Sequence, residues 1–441
     1  MALIFVLSVL SVFQGMALPG IASLGLSPFF LFQLAFGCFT FLYWMGRGFS
    51  IPAGWTTFAA WFTAFCAFSI VSSITLPVIF DGMLVYAPKG GIDEQYFNRS
   101  VLHISSGNFA QAVFLGLYWI AALYFVTKKN IAGLEKYFEK SYTWTAAIVL
   151  FFGYYQAVSI VTGIYFPKEI LLSNEAYGLA NETTIGILPR IHSVFSEPSF
   201  YAIYLTGVFA WVYVRFLAEE SKKARFFLLL ILAVVTVGLF LSLSTLGYMA
   251  VVIFLVMHSA FLLFSGRNAR HLKFILILCF SILGICLILY YFVDGFDIIF
   301  DAVLFTKGDS DSSKHRLASD IFALDIVKKT YLLGVGLGSN RPSSFLTFLL
   351  SNVGVIGTAL AILCGYLLMV RSAFARKGVT DPRRLVGVES TGWAITVMLV
   401  AKVLGGSELN FPPMWILIFY HIICIRSLAM HPNDNISSRT A

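Results

Sequence analysis

The chain has 441 residues, 59% hydrophobic and 12% charged, with a mean hydropathy of +0.85; soluble domains run at roughly 45–50% and about 25%. Such values exclude a water-soluble globular domain and make the lipid bilayer the main solvent. The net charge of +8 does not indicate a nucleic-acid partner, because the basic residues are scattered between apolar runs.

A membrane-crossing helix needs about 20 apolar residues. That ruler predicts an all-α, polytopic membrane protein with about twelve transmembrane helices, near 2–18, 27–45, 54–80, 107–126, 142–164, 199–217, 226–243, 247–265, 274–293, 345–370, 391–403 and 412–430. The stretch Met1 to Gly46 holds no Asp, Glu, Lys or Arg. Without a basic leader region, its first run reads as a retained helix rather than a removed signal peptide. The seventh and eighth spans are parted only by Ser242 to Gly247, which leaves a single re-entrant element open. All six cysteines lie in apolar runs, so neither a disulfide framework nor a zinc site is implied.

Lys and Arg in the short connections set the orientation. Arg47, Lys128, Lys129, Lys136, Lys140, Arg215, Lys222, Lys223, Arg225, Arg371, Arg376, Lys377, Arg383 and Arg384 all fall on one side if both termini are cytoplasmic. The chain 1–441 then forms one transmembrane domain, with three longer external segments at 81–106, 165–198 and 294–344 as the active-site face. In the third, Asp309 to Ser313 signals a helix start, and Leu317, Ile321 and Leu324 recur at helical spacing among charged residues. An amphipathic helix on the outer membrane surface is expected. It ends at Gly334-Val335-Gly336-Leu337-Gly338, read as a flexible stop rather than a nucleotide loop, since no strand precedes it.

Ionisable residues inside the spans are limited to His258, Lys402 and His421, fewer than a charge-coupled carrier would be expected to hold. Charge gathers instead where helices meet the external segments. One constellation is Arg190, His192, Ser196 and Glu197, directly before Pro198 opens a helix. The helix N-terminus and Ser196 suit an anion, and the Arg190 fork suits phosphate oxygens. Glu197 serves either as a general base, with His192 second, or as a mere cap paired with Arg190. The other constellation is Lys314-His315-Arg316 together with Asn340-Arg341, which either grips a diphosphate or forms a solvated face near anionic lipid heads. Asp309-Ser310-Asp311 has a spacing used by metal-dependent sugar transferases, but a bare tripeptide assigns no metal.

Three stretches resemble the O-antigen polymerase and O-antigen ligase superfamily, bacterial membrane glycosyltransferases of the GT-C type. They are Arg190 to Phe200, an arginine followed by a Phe-x-x-Pro entry to a helix; Arg316 with Ala323 and the run Leu333 to Gly338; and Phe345 to Gly357 as the start of the next helix. Together they cover roughly residues 190–365. Where ligases of that superfamily carry a His-Asn pair, this chain has Ser343 and Ser344, and Asn352 stands at the family's Glu. A polymerase is therefore preferred to a ligase, and a lipid-linked oligosaccharide flippase is the rival of another class. The resemblance implies glycan transfer from an undecaprenyl-diphosphate carrier to a lipid-linked repeat unit in the bacterial inner membrane. It needs no metal or cofactor, and chain-length regulator and flippase proteins are expected partners. Arg190 and Arg316 would hold the diphosphate, Arg341, Lys314, His315, Asn340 and Ser196 would assist binding, and Glu197 or His192 would take the proton.

Overall fold

The computed structural model describes residues 2–18, 26–86, 99–174, 184–185, 188–265, 284, 290–291, 311–377, 379 and 382–430. Among them ten helices are long and apolar enough to cross a membrane. They make the protein a multi-pass, all-α membrane protein, and the described residues add two short two-stranded hairpins beside them.

Helix α1 (Ala2–Leu10) is followed by α2 (Pro28–Arg47), α3 (Thr56–Ile79), hairpin strands β1 (Leu84–Tyr86) and β2 (Arg99–Val101), α4 (Ser106–Thr127) and α5 (Leu134–Thr162). A one-turn helix α6 (Lys168–Leu171) and the hairpin β3 (Thr184–Ile185) and β4 (Leu188–Pro189) lead to α7 (Pro198–Ala218), α8 (Lys222–Leu241) and α9 (Thr245–Phe264). Beyond them lie α10 (Asp311–Lys329), α11 (Phe345–Arg376), α12 (Pro382–Gly405) and α13 (Pro412–Met430). Local chemistry fixes several starts. Ser27 accepts the Phe30 N–H ahead of Pro28, Ser221 accepts the Ala224 N–H, and Ser105 and Asn108 form a capping box.

The core surrounds α7, which is buried on nearly every side and packs most extensively on α12. Small residues permit the close approach of its neighbours: a Cβ on Gly207 would lie 2.5 Å from Met398 Sδ of α12, and one on Gly247 of α9 would lie 3.0 Å from Ala202 Cβ. At the basic end, Arg215 pairs with Glu139 and donates to Tyr420 Oη at 3.1 Å. Arg426 donates to the carbonyls of Phe125 (2.6 Å) and Lys128 (2.8 Å), so a buried cation satisfies the C-terminus of α4.

Ten of the expected spans are present, and two departures have physical causes. The first run is helical only to Leu10, because the chain then turns to bond a distant loop: Asn174 N–H donates to Gly15 C=O at 2.8 Å and Ala17 N–H to Ser173 Oγ at 2.9 Å. The eleventh starts at Pro382 rather than 391, since Glu389 faces Arg376 at 3.9 Å and Arg383 pairs with Glu220. The expected span 274–293 lies outside the described residues, apart from isolated positions. Ser242 to Ser244 form a sharp turn with Leu243 at φ 45°, so α8 and α9 are separate helices rather than one element.

The expected amphipathic helix exists as α10, but it packs through its small-residue side. Ser319, Ala323, Ile326 and Val327 are buried, while Leu317, Ile321 and Leu324 point outward, the side that a membrane surface would meet. Ile326 joins Val85, Leu102 and Val335 in a small apolar cap that ties α10 to the β1–β2 hairpin.

The glycine run after α10 is a packed wedge, not a flexible stop. Helix α11 breaks at Gly354 (φ 65°, ψ −171°), and the freed carbonyls of Ser351 and Asn352 accept the N–H groups of Val335 and Gly336, each at 2.8 Å. Asn108 Nδ2 grips the other side through Leu337 C=O (2.9 Å) and Ser339 Oγ (2.8 Å). Gly336 has φ 95°, and a Cβ there would sit 2.6 Å from Pro77. Gly336→Ala is expected to destabilise by at least about 1–2 kcal/mol from the left-handed backbone alone, seen as a lowered unfolding temperature of the detergent-solubilised protein.

Candidate active site

The loop end of the bundle gathers residues from four separate stretches: 190–197, 241–248, the start of α10, and 405–411. Arg190 is positioned by the α8–α9 turn, where Ile191 N–H donates to Leu241 C=O at 3.1 Å and Arg190 Nε to Ser242 C=O at 3.4 Å. The following residues are fastened to α5. Gln156 Oε1 accepts the N–H groups of His192 (3.0 Å) and Ser193 (2.8 Å), and Ser193 Oγ donates to Val149 C=O at 2.7 Å.

Arg316 reaches the same place from α10. A Cβ on Gly405, the last residue of α12, would lie only 2.9 Å from Arg316 Nη1, so the guanidinium rests against the bare end of that helix. The negative end of the helix dipole favours a cation there. Arg190 and Arg316 are close enough to act on each other electrostatically. Burial first, and Arg316 second, pull the Arg190 guanidinium below its ordinary range, while Glu197 and Tyr248 draw it back up. Two guanidinium groups with like charge and one nearby carboxylate form a natural seat for a multiply charged anion.

Glu197 takes the N-cap position of α7 but accepts no backbone N–H with its side chain. Its carboxylate is exposed and accepts the Ser199 hydroxyl at 2.8 Å, so it is placed to meet a solvent-side proton donor. His192 is buried two residues past Arg190, which makes it the less accessible of the two expected bases.

The remaining expected residues divide. His315 is half-buried and Lys314 exposed on the first turns of α10, beside Arg316. Arg341 donates its backbone N–H to Tyr86 C=O at 2.9 Å, so it is fixed to the β1 edge, with its side chain half-buried. Asn340 is not available to a substrate. It is fully buried, and its side chain accepts the Tyr86 N–H (2.8 Å) and donates to Ser351 Oγ (2.9 Å). Ser196 is likewise buried, leaving Glu197 as the exposed residue at the helix entry. A polar side chain in a polar loop looks equally suited to ligand or backbone until burial is known. Asp309 and Ser310 lie outside the described residues, as does the side chain of Asp311. Among the described residues no three His, Cys, Asp or Glu side chains gather as a metal site.

Two residues not assigned from sequence also border the site. Tyr248 contributes its phenol near Arg190, and Lys402 is buried one turn before Gly405. Lys402 Nζ donates to Glu408 C=O and faces the rings of Phe345 and Phe411, each at 5.2 Å. Its position in an apolar run marked it as unusual, but only the fold shows which groups it meets.

Asp320 holds the arrangement together. It lies one turn from Arg316 on α10, and its Oδ1 accepts the N–H groups of Ser343 (3.0 Å) and Ser344 (2.9 Å) and the Thr347 hydroxyl (2.6 Å), capping α11. Asp320→Ala is expected to cost about 2–3 kcal/mol as these donors lose a charged acceptor. Asp320→Asn should recover part of the loss in a thermal unfolding measurement, because an amide oxygen still accepts.

No protein-family model matches the chain, and no curated protein matches it in sequence.

Proposed function

We propose that the protein is a bacterial polysaccharide polymerase of GT-C type, acting in the cytoplasmic membrane on an undecaprenyl-diphosphate-linked glycan. Both termini are placed in the cytoplasm and the loop end outside, following the basic residues of the short connections. No nucleotide sugar is available on that side, so the donor arrives already activated on a lipid diphosphate.

In this reaction the hydroxyl of a second lipid-linked repeat unit attacks the anomeric carbon of the donor glycan. The new glycosidic bond forms as the bond to the diphosphate breaks. The hydroxyl proton goes to Glu197, and the lipid diphosphate leaves with the negative charge. Arg190 and Arg316 stabilise that charge with preorganised donors. The observation that supports the reading is that Arg190 and Arg316, from distant parts of the chain, lie within electrostatic reach of each other, with the exposed carboxylate of Glu197 also acting on Arg190.

The test is reconstitution of the purified protein in vesicles with undecaprenyl-diphosphate oligosaccharide. A ladder of products is the expected result. A single size increment on a lipid or protein acceptor would instead identify a ligase, and passage across the bilayer without change in length a transporter.

A further inference from the structure

Between α11 and α12, backed by α3 and α13, lies a hollow of about 630 Å³. Its walls are apolar, with Phe62, Trp393 and Met414 among them. Tyr366 and Met369 line it and are also exposed, so the hollow opens sideways toward the surrounding lipid. The charges at its two ends are matched within the protein. Arg376 faces Glu389 at 3.9 Å near the basic end. At the loop end Lys402 Nζ donates to Glu408 C=O, with the Glu408 carboxylate acting on it.

Between those ends stands His421, in the middle of α13, which lines the hollow yet is only 4% exposed. Thr391 Oγ1 donates to Gly387 C=O at 2.7 Å, so its oxygen accepts from His421 Nδ1, also at 2.7 Å. This network assigns the hydrogen of the uncharged imidazole to Nδ1 and leaves Nε2 a lone-pair acceptor, without a hydrogen-bond partner among the described residues. Gly392 adds no side chain to cover the ring, since a Cβ there would lie 3.3 Å from His421 Cε1 and 3.9 Å from Nε2. Thr396 also lines the hollow; its hydroxyl hydrogen goes to Gly392 C=O at 2.9 Å, so it too presents an acceptor.

Acceptors facing an apolar hollow, whose end charges are internally matched, suit a neutral apolar molecule that brings its own hydroxyl donor. Depth selects further. His421 stands about 13 Å into α13 from Pro412, at about 1.5 Å per residue, in hydrocarbon about 30 Å thick. A headgroup anchored at the interface lies out of its reach.

We propose that the hollow holds a membrane-dissolved lipid alcohol, whose hydroxyl donates to His421 Nε2 while its hydrocarbon chain lies along the apolar walls. The inference goes beyond the transfer reaction, because its residues lie outside the Arg190–Arg316 pair and it would hold for a transporter equally.

Photoaffinity labelling of the full-length protein in phosphatidylcholine nanodiscs tests this, with a diazirine-bearing long-chain alcohol as probe and oleyl alcohol, its methyl ether and oleate as competitors. Label should map to α11 and α12 and be displaced by oleyl alcohol. The ether keeps the chain but has no donor, and oleate is an anion, so each should compete about tenfold less well or worse. His421→Phe keeps an aromatic ring without the acceptor and should lower labelling about tenfold or more. A second variant guards against misfolding. Gly365 lines the hollow, and a Cβ there meets nothing within 4 Å, so Gly365→Trp fills the space without displacing packed atoms near the backbone. It should lose the label while keeping the wild-type unfolding temperature. Equal displacement by the ether or by oleate, or wild-type labelling of a folded His421→Phe or Gly365→Trp protein, would overturn the proposal. Glycan elongation by these proteins is scored separately, so failure of the alcohol site and failure of the transfer reading are distinguishable.

Discussion

Arg190→Ala and Arg316→Ala are each expected to slow glycan elongation on the lipid carrier about a hundredfold or more. That corresponds to about 3 kcal/mol of transition-state stabilisation lost with one donor. The structure separates this effect from misfolding best at Arg316. Its guanidinium rests against the Cα side of Gly405, so truncation opens solvent-side space and strips no recorded buried acceptor. At Arg190 the Nε donation to Ser242 C=O is also lost, and a small drop in stability accompanies the loss of rate. Arg→Lys should fail as well wherever two parallel N–H donors meet the diphosphate, because an ammonium cannot reproduce the fork. The double variant should be less than additive, since both groups serve one leaving group. Elongation rates in vesicles, read beside unfolding temperatures, check all three statements. Undiminished elongation by both single variants would remove the proposed role.

What could be read from the sequence follows the range of the interactions involved. The spans were legible because bilayer thickness imposes a length of apolar chain that needs no knowledge of packing. Pro198 after Glu197 likewise announces the start of α7 locally. The first run misled because its helix ends by bonding to residues near position 174, and no local rule reports that. The α12 boundary was set too late because Glu389 was counted as loop, whereas it faces Arg376 from another helix. At the site, residue type pointed to Arg190, Arg316 and Glu197, and the fold brings them together. Type alone could not tell them from Asn340, whose amide is consumed internally. The glycine run was legible as a helix end, but its packing against Pro77 and Gly107 depends on helices more than 200 residues earlier in the chain.

Asn352 marks where that packing and the site depend on one side chain, and its replacement should have the largest effect on stability. Fully buried in α11, its Oδ1 accepts the N–H groups of Ser339 (3.1 Å) and Asn340 (3.0 Å). Its Nδ2 donates to the carbonyls of Asn340 and Phe348, both at 2.8 Å. Asn352→Leu leaves two buried N–H groups and the Asn340 carbonyl without these partners. At about 1–3 kcal/mol for each of these three orphaned groups, the expected cost is about 3–9 kcal/mol. Asn352→Asp keeps the acceptor for both N–H groups but turns a carboxylate oxygen toward two carbonyls, so it should rescue only part of the loss. Because the clamped loop joins α10 to α11, Asn352→Leu should lower elongation and unfolding temperature together, while Arg316→Ala lowers elongation alone. An Asn352→Leu protein with unchanged thermal stability would show that the wedge is held by apolar packing against Pro77 rather than by this amide.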